Sequence, residues 1–95
     1  MTVLILAHDF RDPEAPSRRL KQRPAHLDGV RRMKVEGTFL DAGAMLDDEA
    51  RMVGSMILVE FPSRPEVDGW LATDPCVAGQ VWEHITVRAF RRVQL

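Results

Sequence analysis

Cysteine occurs once in this chain, as Cys76, so no intrachain disulfide can form and no cysteine-based metal cluster can be built. That usage fits a reducing cytoplasm. No apolar run approaches the length of a membrane span. The opening Val3-Leu4-Ile5-Leu6-Ala7 is too short for a signal peptide and runs into His8-Asp9 without a small-residue cleavage pattern. Charge of one sign is also lacking: 13 basic and 14 acidic residues leave a net charge of −1, with the arginines scattered among acids. This balance argues against a nucleic-acid-binding surface. Neither an internal repeat nor a low-complexity run is visible. What remains is one domain over residues 1–95, 45% hydrophobic and 28% charged, expected to be cytoplasmic, with no membrane partner. A chain this short buries only a modest part of its surface alone, which makes self-association a natural source of further core.

Thr2–His8 reads as a strand whose two alternating sets, Val3/Ile5/Ala7 and Leu4/Leu6, are both apolar, so both faces should be covered. Asp9–Ser17, with two prolines and several charges, reads as a loop or a weak lead-in. A helix is predicted from Pro24, suited to the first helical position, to Glu36, with Gly37 as its stop. Thr38–Leu46 and Met52–Phe61 read as a hairpin joined through the acidic run Asp47-Asp48-Glu49. Ser63-Arg64-Pro65-Glu66 has the pattern of a capping box, and Val67, Trp70, Leu71 and Asp74 follow at helical spacing. Pro75 should end that helix at Asp74. A final strand is placed at about His84–Val93.

The order β-α-β-β-α-β is the ferredoxin-like pattern: an α+β domain with two helices on one face of a four-stranded antiparallel sheet. The first and third strands are apolar on both sides, yet only one face would carry helices. A second copy packed sheet to sheet would cover the other, so a homodimer is expected.

His26 lies on the inward stripe of the first helix with Val30 and Met33, and Asp74 ends the stripe of the second. An imidazole oriented by a carboxylate is minimal equipment for proton transfer near neutral pH. Placed near a helix N-terminus, His26 would also be held neutral by the helix dipole. The plainer readings are a histidine satisfied by a backbone carbonyl and an aspartate that caps a helix end. His8, at the end of the first strand, could line the same cleft or face solvent, and Asp9 stands close to it. His84 reads as structural or as part of a dimer rim. No His-x-His or His-x-x-x-His spacing exists, so no metal site is expected. Cys76, just past a helix end, reads as a packing residue. Trp82 could form a cleft wall and stack on a planar ligand. Arg18, Arg19, Lys21 and Arg23 read as a solvated face, and Arg23, three residues before His26, is the one best placed to hold an anionic group.

Arg23-Pro24-Ala25-His26-Leu27, Glu36-Gly37, Ala42-Gly43, Gly54-Ser55, Asp74-Pro75 and Trp82-Glu83-His84-Ile85-Thr86-Val87 stand in an order and spacing that resemble the YCII-related (YciI-like) family over nearly the whole chain. The resemblance implies a fold similar to muconolactone isomerase, a dimeric α/β barrel of ferredoxin-like subunits. It also implies a His-Asp active-site pair, which falls on His26 and Asp74, and one branch of the family is linked to dehydrochlorination of a chlorinated hydroxyhydroquinone. Three departures stand out. Cys76 replaces the aromatic residue after Asp-Pro, Ala44 replaces a proline common after Gly43, and in Ala78-Gly79-Gln80-Val81-Trp82 the glycine comes one position early.

Two function classes follow. One is a cofactor-independent enzyme, a lyase or isomerase, that moves a proton or eliminates a leaving group on a small cyclic or aromatic compound. In it His26 acts as acid/base, Asp74 orients it, and Arg23, Trp82 and His8 contact a substrate the sequence leaves unnamed. The other is a non-catalytic dimer that binds a small ligand or a protein, since ferredoxin-like frames host many functions.

Overall fold

A computed structural model describes residues 1–95. Its elements run β1 (Thr2–Asp9), α1 (Ala15–Glu36), β2 (Phe39–Leu46), β3 (Met52–Glu60), α2 (Arg64–Thr73), α3 (Pro75–Ala78) and β4 (Trp82–Ala89). The four strands form one sheet in the order β2-β3-β1-β4, with every pairing antiparallel. This is the ferredoxin-like α+β arrangement, with the short α3 added after the second helix.

Strand alternation sets the core. Val3, Ile5, Ala7 and Asp9 of β1 point to the buried face, and Val59, Ile57 and Ser55 of β3 lie opposite the first three. Ile5, Ile57, Val3, Val59, Val67 and Val81 are the largest side chains wholly withdrawn from water. Each such aliphatic group contributes about 1.5–3 kcal/mol by its burial. The other face of the sheet carries Leu4, Leu6, Met56 and Leu58, with no helix over it.

The first helix departs from expectation. It begins at Ala15 and runs through Pro24, so of the expected Asp9–Ser17 loop only Phe10–Glu14 is irregular, with Asp9 closing β1 and Ala15–Ser17 opening the helix. Pro16, not Pro24, occupies the first turn, where a missing N–H costs nothing. Pro24 forfeits the bond to the Leu20 carbonyl, a defect of about 3 kcal/mol in an isolated helix. Contacts at both ends carry the helix across it: Ala15 and Met33 are buried. Gly37 closes it in the left-handed region, at φ 84°. His26 is therefore about three turns into the helix, and the dipole argument for keeping it neutral does not apply.

Two smaller corrections concern α2 and β4. Ser63 is the N-cap of α2, but its hydroxyl makes no capping bond, so the capping box is not formed; Val67 N–H instead donates to the Ser63 carbonyl at 3.3 Å. The last strand starts at Trp82 and ends at Ala89, several residues before Val93. It stops because its partner runs out: Val3 faces Ala89, and Phe90 N–H takes the Thr2 carbonyl at 2.9 Å.

Candidate active site

The stripe of α1 that faces the sheet runs Ala15, Arg19, Gln22, His26, Val30 and Met33. Apolar residues close both ends, and polar ones occupy the middle. That interruption marks where the helix does something other than pack. Asp74 reaches the same place from the opposite side. It ends α2 in an extended conformation, as Pro75 requires, and its carboxylate caps α3 by accepting Cys76 N–H at 2.9 Å.

His26 Nδ1 lies 2.9 Å from Asp74 Oδ2 and 3.2 Å from Oδ1, with the two side chains 14% and 5% exposed. A carboxylate only accepts, so Nδ1 carries the hydrogen, and in the neutral ring the lone pair is then on Nε2. Trp82 holds the ring from another side: its indole meets the imidazole edge-on, centroids 5.6 Å apart at 83°. Trp82 is 4% exposed, so it supports His26 from within the core and is buried against the ring.

His26 lines a cavity of about 260 Å³ between α1 and the β2–β3 side of the sheet. The helix contributes Arg19, Arg23 and His26; the strands contribute Ser55, Met56, Ile57 and the run Ala42–Ala44; Cys76 closes one end. Arg23 stands at the mouth, exposed, with Nη1 3.9 Å from Met52 Sδ. His8 opens on a separate cavity of about 490 Å³ together with Asp9, Asp12 and Arg51, so it is not brought to His26. His84 is exposed beside Glu83 at 3.6 Å.

Sequence reasoning placed Arg19 on a solvated face. In the structure it is the arginine that turns inward, its side chain 12% exposed. Its Nε donates to Asp9 Oδ2 at 2.7 Å, and Nη2 donates to the Gly54 carbonyl and to Ser55 Oγ, each at 2.7 Å. A signal for it existed. Arg19 precedes His26 by seven residues, two helical turns on one stripe, but the signal vanishes when the helix is started at Pro24.

His26, Asp74 and Cys76 offer ligand atoms within 4.8 Å of one another. Burial, reinforced by the Asp74 charge and its hydrogen bond to the thiol, pushes Cys76 up to about 12. A metal needs the thiolate. With Nδ1 also committed to Asp74, these three form a hydrogen-bonded cluster rather than a ready ligand set.

Fold and site together define a class: a small ferredoxin-like α+β domain with a buried histidine–aspartate pair beside a cavity under the sheet. Residues 1–91 match the YCII-related domain, and the chain belongs to that family. It is 36% identical over 99 residues to Protein YciI of Escherichia coli O6:H1, spanning 98% of this chain and 99% of that protein. To an uncharacterized protein of Haemophilus influenzae it is 30% identical over 99 residues, at the same coverage. Among solved structures it is similar to the 5-chloro-2-hydroxyhydroquinone dehydrochlorinase of Burkholderia phenoliruptrix AC1100 in complex with 2,5-dihydroxybenzoquinone. The TM-score there is 0.84 at 23% identity, over 98% of this chain and 96% of that one. An antibiotic biosynthesis monooxygenase matches at TM-score 0.55 and 21% identity, over 99% of this chain and 100% of that one. At these identities the structural likeness speaks for the fold alone.

Proposed function

We propose that this protein is a cofactor-independent acid/base enzyme, acting by isomerisation or elimination on a small cyclic or aromatic carbonyl compound. The observation that carries the reading is the 2.9 Å contact of His26 Nδ1 with Asp74, made beside a cavity that the same imidazole lines. Nε2 is left as the base. It takes a proton from carbon next to a carbonyl, and the C–H electron pair becomes the new C=C bond. In an isomerisation the carbonyl oxygen receives the displaced charge. In an elimination a leaving group such as halide departs with its bonding pair. Asp74 then faces an imidazolium and stabilises it, which a neutral partner could not do. The dehydrochlorinase among the structural relatives supports the elimination branch, and 2,5-dihydroxybenzoquinone, bound in that relative, is a natural first compound to try.

The active form is a cytoplasmic homodimer in this reading. Leu4, Leu6 and Met56 lie half-buried on the helix-free face of the sheet, where a second copy would remove them from water. Sedimentation at micromolar concentration should give twice the mass of the chain.

Histidine ring ¹⁵N shifts, in wild type and Asp74→Asn, test the pair directly. One ring should show its hydrogen fixed on Nδ1 and should lose that preference when Asp74 loses its charge. Three rings with no such preference, all unmoved by the substitution, would remove the proton-transfer reading and leave a ligand-binding dimer.

A further inference from the structure

The cavity beside His26 is electrically one-sided. Two arginines line it, and no Asp or Glu side chain does. The acids that balance this region, Asp9 and Asp74, stand behind Arg19 and His26 respectively, where a ligand does not meet them. Most of the remaining wall is apolar, and at Ala42, Gly43 and Ala44 it is also small, which leaves room for a flat body.

Arg19 is the fixed cation of the two. A guanidinium carries five N–H donors in a rigid fork. Three are spent: Nε on Asp9, and both Nη2 hydrogens on the Gly54 carbonyl and Ser55 Oγ. These anchors come from β1 and β3, so the plane of the fork is set by the sheet rather than by the helix alone. Both hydrogens of Nη1 remain, on a side chain that lines the cavity. Asp9 is only 8% exposed, with its Oδ1 lacking any donor, so Arg19 is the one donor its carboxylate meets. A part-buried cation held by a buried acid, with one edge of its fork unspent, is a receptor for an oxyanion.

The geometry points to Arg19 as the anion anchor of this site and to its ligands as single-ring oxygen acids ionised near neutral pH: carboxylates, or acidic enols and phenols. Arg19 and His26 are seven residues apart, about 10 Å along the helix axis. Side chains converging from those positions bracket one ring, in keeping with the cavity's 260 Å³. The inference deepens the proton-transfer reading and rests on it for the fate of the ligand. The oxyanion sits at Nη1 while the reacting carbon meets Nε2, and charge developing on a conjugated oxygen falls on a donor already in place.

Equilibrium binding of three single-ring probes tests this: benzoate, 4-nitrophenolate and the neutral benzamide, followed by titration calorimetry and by the amide signals of Ser55 and Met56. One or both anions should bind about tenfold or more tighter than benzamide. Arg19→Gln should erase that preference, and Arg19→Lys should keep part of it. A benzoate preference assigns the site to carboxylates, and a nitrophenolate preference assigns it to enols and phenols. Equal affinity for all three in wild type, or an anion preference that survives in Arg19→Gln, overturns the inference. The wild-type comparison decides even if Arg19→Gln fails to fold. None of these readouts involves turnover, so a failure here is distinct from a failure of the His26 ring-nitrogen test.

Discussion

His26 and Asp74 stand 48 residues apart in the chain and meet at 2.9 Å because the two helices that carry them lie on the same face of one sheet. Asp74 does two jobs at that point. It turns the end of α2 into the start of α3, and it gives the imidazole a fixed tautomer.

Asp74→Asn should keep the first job and lose the second. An amide oxygen still accepts Cys76 N–H, so thermal unfolding should shift little. In ¹⁵N-histidine spectra, wild-type His26 should show a protonated Nδ1 and a lone pair on Nε2, and the variant should lose that preference. Once a substrate is in hand, turnover should fall by about a hundredfold or more. Unchanged ring nitrogen shifts would count against the orienting role.

Cys76 should be silent toward thiol reagents at pH 8 in the native protein and fast in urea, because the side chain is buried and its thiol is pushed up to about 12. The same shift sets a stability trend. The folded thiol keeps its proton above the ordinary 9.0, where the unfolded one ionises. In that window the unfolded state binds fewer protons, so stability falls as pH rises from 9.0 toward about 12. Urea midpoints of wild type and Cys76→Ser should diverge there. Parallel pH dependence of the two would contradict the assignment.

Removing Asp9 leaves Arg19 as an unpaired cation in a site 12% open to water. Asp9→Ala should cost about 3 kcal/mol, measured as a lower urea midpoint at unchanged slope. A loss under about 1 kcal/mol would mean that Ser55 and Gly54 hold the guanidinium unaided.

The early glycine in Ala78-Gly79-Gln80 leaves a trace in the backbone. Gly79 sits at φ −82°, while Gln80 occupies the left-handed region at φ 55°. A glycine at position 80 would hold that conformation without strain. Gln80→Gly should therefore stabilise by about 1 kcal/mol, read as a raised melting temperature. The side chain lost makes no hydrogen bond, and the Gln80 carbonyl that accepts Arg18 Nε at 3.0 Å stays in place.

Much of this was legible in the sequence. Alternation placed Val3, Ile5 and Ala7 on a buried face, and Asp-Pro placed Asp74 at a helix end. Those signals are local and survive without knowledge of the fold. Two kinds of information did not survive. The start of α1 was hidden because proline rules favour position 24 as a first turn, whereas tertiary contacts at Ala15 and Met33 carry the helix across it. With nine residues of helix missing, the shared stripe of Arg19 and His26 could not be seen. The inward turn of Arg19 itself depends on acceptors from β1 and β3, and no window along the chain contains all three.

Trp82 was obscured for another reason. It shares alternation parity with His84, which faces away from the helices opposite His8, yet Trp82 faces inward opposite Asp9. The register shift between these pairs leaves Glu83 with no partner across the ladder. That residue works as slack in the strand. Excising it would tighten β4 into regular pairing and still deliver the tryptophan beneath His26. The aromatic prop is thus insulated from changes in length at the one point where β4 could most easily lose a residue.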